Sequence, residues 1–458
     1  MCGIVGIYGV EEASKYLYFG LYSLQHRGQE GAGIAVFDGK KIREYKNLGL
    51  VSEVFNEKVL QELPGEIGIG HVRYSTTGSS VLQNVQPFCV KHAGKTLALA
   101  HNGNLINAYK LRCDLEEEGH IFQTTLDSEV IVHLIVKNLK IGLVDAIAHT
   151  MQRIKGAYSV LLLYDDILVA FRDPWGFRPL ALGMLNGGYV VASETCAFDL
   201  LGAEYLRDVE PGEILLINEN GPKSYYPFRE TPQPLSHCIF EFIYFARPDS
   251  LIFQKNVYIV RKNLGINLYK ECPLEADLVM PFPDSGTYSA LGYAKASGLP
   301  LEFGVIRNHY VGRTFIEPSE RLRDLSVRMK LNPVKEVIRG KEVIVIDDSL
   351  VRGTTSKNRI KSIKLAGAKK IHFLISCPPL KFPCFFGIDF PKASELIASK
   401  HSVEEIRKFL DIDTLYYLSL DGLLDSVGDL RDKVCLACFT GNYPLEVDFS
   451  FRKDIIER

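Results

Sequence analysis

The sequence contains no apolar run approaching the roughly 18 residues that a membrane span requires, so no stretch of it reads as a transmembrane helix. It also has no surplus of positive charge: 53 Lys and Arg stand against 55 Asp and Glu, a formal net charge of -2. Without a basic excess there is no electrostatic footprint for nucleic acid. The first residues lack a basic n-region, and Glu11 and Glu12 arrive early, which argues against a secretory signal. Cysteine is sparse, because ten residues in 458 are too few for a secreted disulfide scaffold. A reducing cytoplasm is the expected setting, and there a cysteine cluster points to metal or catalysis. Cys89, Cys113, Cys196, Cys272 and Cys377 carry no local motif and read as packed thiols. No internal repeat or long low-complexity segment is visible. The length exceeds what one compact core usually serves, so two domains are expected.

The two halves of the chain differ in pattern. In the first, "GEIGIGHVRYSTTG", "KTLALAHNGNL" and "GAYSVLLLYDDILVAFRDPWG" read as strands between turns. "DSEVIVHLIVKNL" and "GLVDAIAHTMQRI" have helical spacing, which predicts sheets covered by helices. A polar, proline-bearing stretch over residues 218–237 is the candidate boundary, giving domains of 1–230 and 231–458. In the second half, "EADLVMPFPDSG" and "KEVIVIDDSLVRGTTS" are apolar strands ending in polar loops, each followed by a helix-compatible segment. That alternation predicts a parallel α/β sheet with ligands bound where strands end.

"VIVIDDSLVRGTTS" carries the most information. Val343, Ile344, Val345 and Ile346 form a buried-strand pattern that ends at Asp347 and Asp348. Gly353, Thr354, Thr355 and Ser356 supply a tight turn, backbone N–H groups and hydroxyls ahead of a helix over "SKNRIKSIKLAG". Strand, hydroxyl-rich loop and helix N-terminus together make an anion site. It is not a Walker A loop, since no G-x-x-x-x-G-K-[ST] occurs. The two acids suit Mg²⁺ or sugar hydroxyls; the plainer alternative is an acidic turn before an N-cap. The whole string resembles the phosphoribosyl pyrophosphate (PRPP) loop of type I phosphoribosyltransferases. The resemblance implies that Asp347 and Asp348 face ribose and metal-bound pyrophosphate and that the turn holds the 5-phosphate, with Arg352 marking one branch. An upstream segment over residues 307–332, rich in arginine and broken by Tyr310, Phe315, Ile316 and Pro318, reads as a basic flap over pyrophosphate.

The other chemical signal is the opening, "MCGIVGIYG". With Met1 removed, Cys2 carries both a thiol, ordinarily with a pKa of about 8.5, and an α-amine of about 7.7–8.0. One residue then supplies nucleophile and base; the plainer reading is a small buried residue at a strand start. "LQHRGQEGAGI" adds Arg27, "GHVRYSTTG" adds Arg73 and "LAHNGNL" adds Asn102 and Gly103. An Asn amide and an adjacent Gly N–H suit an oxyanion hole, although Asn-Gly is also the strongest hairpin signal. Asp127 in "TTLDSEV" reads as a ligand contact or as an N-cap. Together these segments resemble the N-terminal nucleophile glutamine amidotransferases, whose αββα sandwich would precede the phosphoribosyltransferase domain. The resemblance implies that Cys2 attacks the glutamine amide and that Asn102 and Gly103 hold the oxyanion. Arg27, Arg73 and Asp127 would bind glutamine, with Arg73 on its carboxylate and Asp127 on its α-amine.

The chain as a whole resembles the iron–sulfur branch of the glutamine PRPP amidotransferase family. That implies 5-phosphoribosylamine made from glutamine and PRPP, purine nucleotide inhibitors, and a homotetramer or homodimer. Ammonia would pass through an apolar channel, with Phe240, Tyr244 and Phe245 as candidate lining; core packing is the plainer role for any one of them. "PFPDSG" is a motif of the same family and implies that Ser285 helps Asp347 and Asp348 place Mg²⁺. Arg307-Asn308-His309 departs from the family's Lys-Asn-Arg. Cys435 and Cys438 form a C-x-x-C, a modest signal by itself for zinc, a redox pair or coincidence. Cys238 and Cys384 stand in the family's other two cysteine contexts. The resemblance therefore implies a 4Fe-4S cluster on Cys238, Cys384, Cys435 and Cys438, with a Cys₄ zinc site as the alternative.

Overall fold

In the computed structural model, which describes residues 1–75, 78–308, 331–390 and 392–448, the apolar strands of the first half form two antiparallel sheets. The seven-stranded sheet runs Glu204–Asp208, Ala181–Leu185, Gly188–Ala192, Gly3–Tyr8, Ile67–Arg73, Gly31–Phe37, Ile42–Leu48. The six-stranded sheet runs Gly221–Tyr225, Ile214–Asn218, Ile167–Arg172, Gly156–Tyr164, Lys95–Leu105, Phe88–His92. Strand side chains alternate between faces, and Gly3–Tyr8 is apolar on both. Ile4 packs inward with Ile69, Ala98 and Leu161 of the two sheets. Val5 and Ile7 pack outward with Leu17 and Leu21 of the helix Ala13–Ser23. On the far side, the expected helices form as Ser128–Asn138 and Leu143–Arg153, and bury Val130, Ile131, Leu134 and Ile147 against the six-stranded sheet. The result is the expected helix–sheet–sheet–helix stack.

The second half is a four-stranded parallel sheet ordered Leu278–Pro281, Glu342–Asp347, Lys370–Ile375, Thr414–Tyr417. Helices Val257–Glu271, Thr287–Ser297 and Thr354–Leu365 flank it. The last begins at Thr354, ahead of the expected start, because Gly353 takes a left-handed conformation (φ 79°) that turns the chain at once into the helix. Ile360 and Ile363 face the core as expected.

Part of the proline-bearing stretch is ordered sheet. Gly221–Tyr225 pairs with Ile214–Asn218 through a two-residue turn, Glu219 and Asn220, after which Gly221 takes a left-handed conformation (φ 86°). From His237 onward the pairing partner changes: His237 and Cys238 lie opposite Val434 and Cys435 in a short parallel bridge. The basic flap falls almost wholly on residues 309–330, outside the described residues; its two ends pair as Val305–Arg307 with Leu331–Pro333. Among the described residues no helix is long and apolar enough to cross a membrane.

Candidate active sites

Cys2 precedes the central strand Gly3–Tyr8 and is buried, and its Sγ donates to the Tyr74 carbonyl at 3.4 Å. Met1 is present and packs in the same apolar cluster as Phe240 and Ile243 of the second half. Its α-amine is pushed down to about 5, chiefly by burial and then by Arg178 and Arg27, against the opposing pull of Cys2 and Glu241. Asn102 and Gly103 lie inside Lys95–Leu105, opposite Ser159 and Tyr158, so this Asn-Gly is strand and not a hairpin turn. Asn102 is fully buried, and neither its Oδ1 nor its Nδ2 has a hydrogen-bond partner among the described residues. Leaving a buried amide unpaired costs about 1–3 kcal/mol, so such a group calls for a bound species, strain or a catalytic role to account for it. Gly103 admits no side chain, since a Cβ would fall 1.9 Å from the Ala157 carbonyl oxygen.

Two histidines join the sheets next to this pair. His71 Nε2 donates to the His101 carbonyl at 3.3 Å, and His101 Nδ1 lies 2.9 Å from Ser128 Oγ. Burial, then Arg73, pushes His71 down to about 3, so it stays neutral. Asp127 sits at the N-cap position of Ser128–Asn138 without capping it. Its Oδ2 instead accepts from Leu105 N at 2.9 Å, which ties it to the Asn102 strand. Arg73 donates to the carbonyls of Asn84, Gly78 and Ser79 at 2.8, 3.1 and 3.0 Å and so organises the loop after its strand. Arg27 holds the backbone of Cys2: its Nε donates to the Cys2 carbonyl at 3.0 Å, and its terminal nitrogens meet Glu194 and Glu241.

At the second site the acids stand where the strand pattern puts them. Asp347 is the last residue of Glu342–Asp347, and both acids are buried. Ser285 Oγ donates to Asp347 Oδ1 at 3.3 Å, so "PFPDSG" and the Asp-Asp pair share one pocket. Burial, then Asp348, raises the Asp347 carboxyl well above its ordinary value, with Arg359 at 3.5 Å as partial counter-charge. Buried paired carboxylates suit a hard divalent cation. Thr354, Thr355 and Ser356 form the first turn of the following helix. Arg352 is exposed and pairs with Glu395 at 2.8 Å.

The four motif cysteines come from three chain segments. Cys238 faces Cys435 across the parallel bridge. The Cys438 carbonyl accepts from Lys381 N and Phe382 N at 3.1 Å, which draws the Cys384 segment to the same place. Burial, first, raises the Cys238 thiol to about 11 and the Cys438 thiol well above its ordinary value, and neighbouring motif cysteines add to both shifts. Among the described residues no three His, Cys, Asp or Glu side chains are arranged to hold a single metal ion. Four cysteines are the donor set of a four-iron cube as they are of a tetrahedral Cys₄ ion. Phe240 packs against Phe245 (5.9 Å) and edge-on to Phe390 (4.8 Å), and Tyr244 edge-on to Phe245 (5.2 Å).

Several site residues escaped the sequence reading. Glu30 accepts from Ser75 N at 3.0 Å, Ser75 Oγ at 3.1 Å and Ser80 Oγ at 2.7 Å, clamping the loop that Arg73 organises. Asn104 Nδ2 donates to the Phe385 carbonyl at 2.9 Å, linking the Asn102 strand to the Cys384 loop. Arg178 and Glu241 are wholly buried between the halves. The available signal was a lone acid inside an aromatic run, "FEFIYF", since a buried charge needs a partner.

Comparison with known proteins is consistent with this geometry. Residues 71–199 match the family model of a glutamine amidotransferase domain. The chain is 49% identical to an amidophosphoribosyltransferase of Methanocaldococcus jannaschii, over 98% of each chain. It is 50% identical to that of Bacillus subtilis, over 97% of this chain and 94% of the relative. Among solved structures, glutamine PRPP amidotransferase from B. subtilis complexed with ADP and GMP superposes with a TM-score of 0.92 at 50% identity, covering 98% of both chains. A structure described as the allosteric regulatory enzyme of purine biosynthesis gives 0.93 at 50% identity, over 98% of this chain and 97% of that one.

Proposed function

This chain belongs to the amidophosphoribosyltransferase family, and from that premise we propose how its own residues perform the reaction. It transfers ammonia from glutamine to PRPP, giving 5-phosphoribosylamine, glutamate and pyrophosphate, the first committed step of de novo purine biosynthesis.

Residues 1–230 form the glutaminase and 231–458 the phosphoribosyltransferase. Once Met1 is removed, the Cys2 α-amine takes the thiol proton and Sγ attacks the side-chain carbonyl of glutamine. The negative charge that develops on the carbonyl oxygen is received by Asn102 Nδ2 and the Gly103 N–H. The α-ammonium returns its proton to the leaving nitrogen, ammonia departs, and water cleaves the thioester to glutamate and free Cys2. Arg73 pairs with the glutamine carboxylate and Asp127 with its α-amine, while Arg27 serves glutamine binding by fixing the Cys2 backbone. The observation that carries this reading is the buried, unpartnered Asn102 amide, on a strand locked by His71 to the sheet that bears Cys2.

At the second site Asp347 and Asp348 hold the ribose hydroxyls, with Ser285 beside them. Gly353, Thr354, Thr355 and Ser356 bind the 5-phosphate at the helix N-terminus, and Arg352 adds positive charge. Ser285, Asp347 and Asp348 would hold Mg²⁺, which when bound neutralises the pyrophosphate leaving group. Cys238, Cys384, Cys435 and Cys438 would hold a 4Fe-4S cluster that staples three segments together; amide transfer itself needs no electron movement. Ammonia crosses between the sites along apolar surface at Phe240, Tyr244 and Phe245. Purine nucleotides inhibit, as the ADP and GMP complex of the B. subtilis relative suggests. The enzyme works in the cytoplasm as a homotetramer or homodimer.

The test is to measure glutamate and pyrophosphate release together for the enzyme and for Cys2→Ala. The variant should lose glutamine-dependent product and keep the ammonia-dependent reaction. Survival of both activities rejects Cys2 as nucleophile. Iron and acid-labile sulfide in anaerobically purified protein support the cluster, and zinc without iron excludes it.

A further inference from the structure

The strand start that bears Cys2 is held by the other half of the molecule. Arg27 Nε donates to the Cys2 carbonyl at 3.0 Å. The same guanidinium is gripped by both oxygens of Glu241, at 2.8 and 3.1 Å, and by Glu194. Glu241 opens a π-helical turn, Glu241–Phe245, in the second half, and such turns recur at functional sites. Its Oε1 also faces Arg178 NH1 at 3.4 Å. Arg178 in turn donates through Nε to the Phe386 carbonyl at 3.1 Å. The residue after Phe386, Gly387, lies so close to the oxyanion glycine that a Cβ there would sit 3.0 Å from the Gly103 carbonyl carbon. Asn104 grips the same loop at Phe385. The side chains of Arg27, Arg178, Glu194 and Glu241 are all 0% exposed. Two positive and two negative charges thus lie together in the buried interior, where each attraction is less screened than at the surface.

We propose that Glu241, supplied by the second half, is a positioning residue for glutamine hydrolysis: its carboxylate fixes the nucleophile's backbone through Arg27 and the support of the oxyanion glycine through Arg178. The inference rests on the reading of Cys2 as nucleophile and of Asn102 and Gly103 as oxyanion hole. Glu241 touches neither substrate. It sets the distance between two groups that must both meet one carbonyl, and a misplacement of about 1 Å in such a pair costs on the order of a hundredfold in rate. A shift of the second half against the first would reach the glutaminase through this carboxylate.

The experiment uses the full-length processed enzyme and the variants Glu241→Gln and Glu241→Asp. Five quantities are read: kcat and KM for glutamine hydrolysis, the rate of Cys2 alkylation by the diazoketone analogue of glutamine, the rate of ammonia-dependent phosphoribosylamine formation, and melting temperature. Glu241→Gln keeps the shape and removes the charge. It should lower kcat and the alkylation rate about 10- to 100-fold, leave KM within about twofold, and leave the ammonia-dependent rate within about twofold. Glu241→Asp should fall between the two. If Glu241→Gln hydrolyses glutamine within twofold of the parent, the inference is overturned. A parallel loss of the ammonia-dependent rate and of melting temperature overturns it too, since that marks a purely structural ion cluster. If Glu241→Gln does not fold, Glu241→Asp decides by the same criteria. Failure of the parent enzyme to be alkylated at Cys2 is a different result, and sinks the nucleophile assignment itself.

Discussion

Replacing Asn102 by alanine separates catalysis from folding more cleanly than most active-site changes. In an ordinary buried site, removing an amide breaks hydrogen bonds and leaves partners unsatisfied. Here both amide atoms are fully buried and unpartnered among the described residues, so no such partners are stranded. The folded protein loses a few packed atoms and is relieved of a desolvated amide that costs about 1–3 kcal/mol. The two effects oppose each other, and the net change in stability should stay within about 1 kcal/mol. On the proposed reading the transition state, by contrast, loses one of two oxyanion donors. Loss of one such donor lowers kcat by about 10²–10³, or about 2.7–4 kcal/mol of barrier. Asn102→Ala should therefore cut glutamine hydrolysis by that factor. Its melting temperature and its use of ammonium should match the parent. The assay follows glutamate release at saturating glutamine, with phosphoribosylamine formation from ammonium as control. A kcat within threefold of the parent, or an equal fall with ammonium, refutes the argument.

Four further outcomes are expected. Asp347→Asn should weaken PRPP turnover at least tenfold with either nitrogen source, because both reactions pass through the same carboxylate pair; steady-state kinetics in PRPP checks this. Glu30→Gln should raise the KM for glutamine by about 5- to 30-fold with less effect on kcat, since one carboxylate receives three loop donors and bonds to a charged acceptor contribute about 1.5–3 kcal/mol before loop relaxation. Cys384→Ser should lower iron and sulfide content, read by metal analysis and visible absorbance, and should loosen the loop that Asn104 grips. Burial alone would raise the Glu194 carboxyl, but His26 and Arg27 outweigh it and hold the group below its ordinary 4.5. The native state then binds fewer protons than the unfolded chain, so this contribution is complete above about pH 4.5 and is lost as the pH falls below it. Melting temperature measured from about pH 6 to about pH 2 should drop less steeply below pH 4.5 in Glu194→Gln, measured against that variant's own value at about pH 6.

Much of this molecule is legible in its sequence because the relevant signals are local. An apolar run ending in Asp-Asp and a hydroxyl-rich turn can do little but form a strand, a loop and a helix, and Glu342–Asp347 followed by Thr354–Leu365 is what results. A thiol at position two and the Asn-Gly at 102–103 leave a plainer reading open by residue type, and it is their resemblance, together with Arg27, Arg73 and Asp127, to a known family that implies nucleophile and oxyanion chemistry. Whether Asn-Gly turned a hairpin or lay within a strand was not local; pairing with Ser159 and Tyr158 decided it. Asp127 likewise reads as a helix cap until the Leu105 amide claims its carboxylate. The charges that hold the two halves in register were the least visible. Arg27, Arg178, Glu194 and Glu241 are scattered over more than two hundred positions, and nothing short-range links them. A charge is recognisable as buried only when the chain has closed around it, and only then does its desolvation demand the partner that the fold supplies.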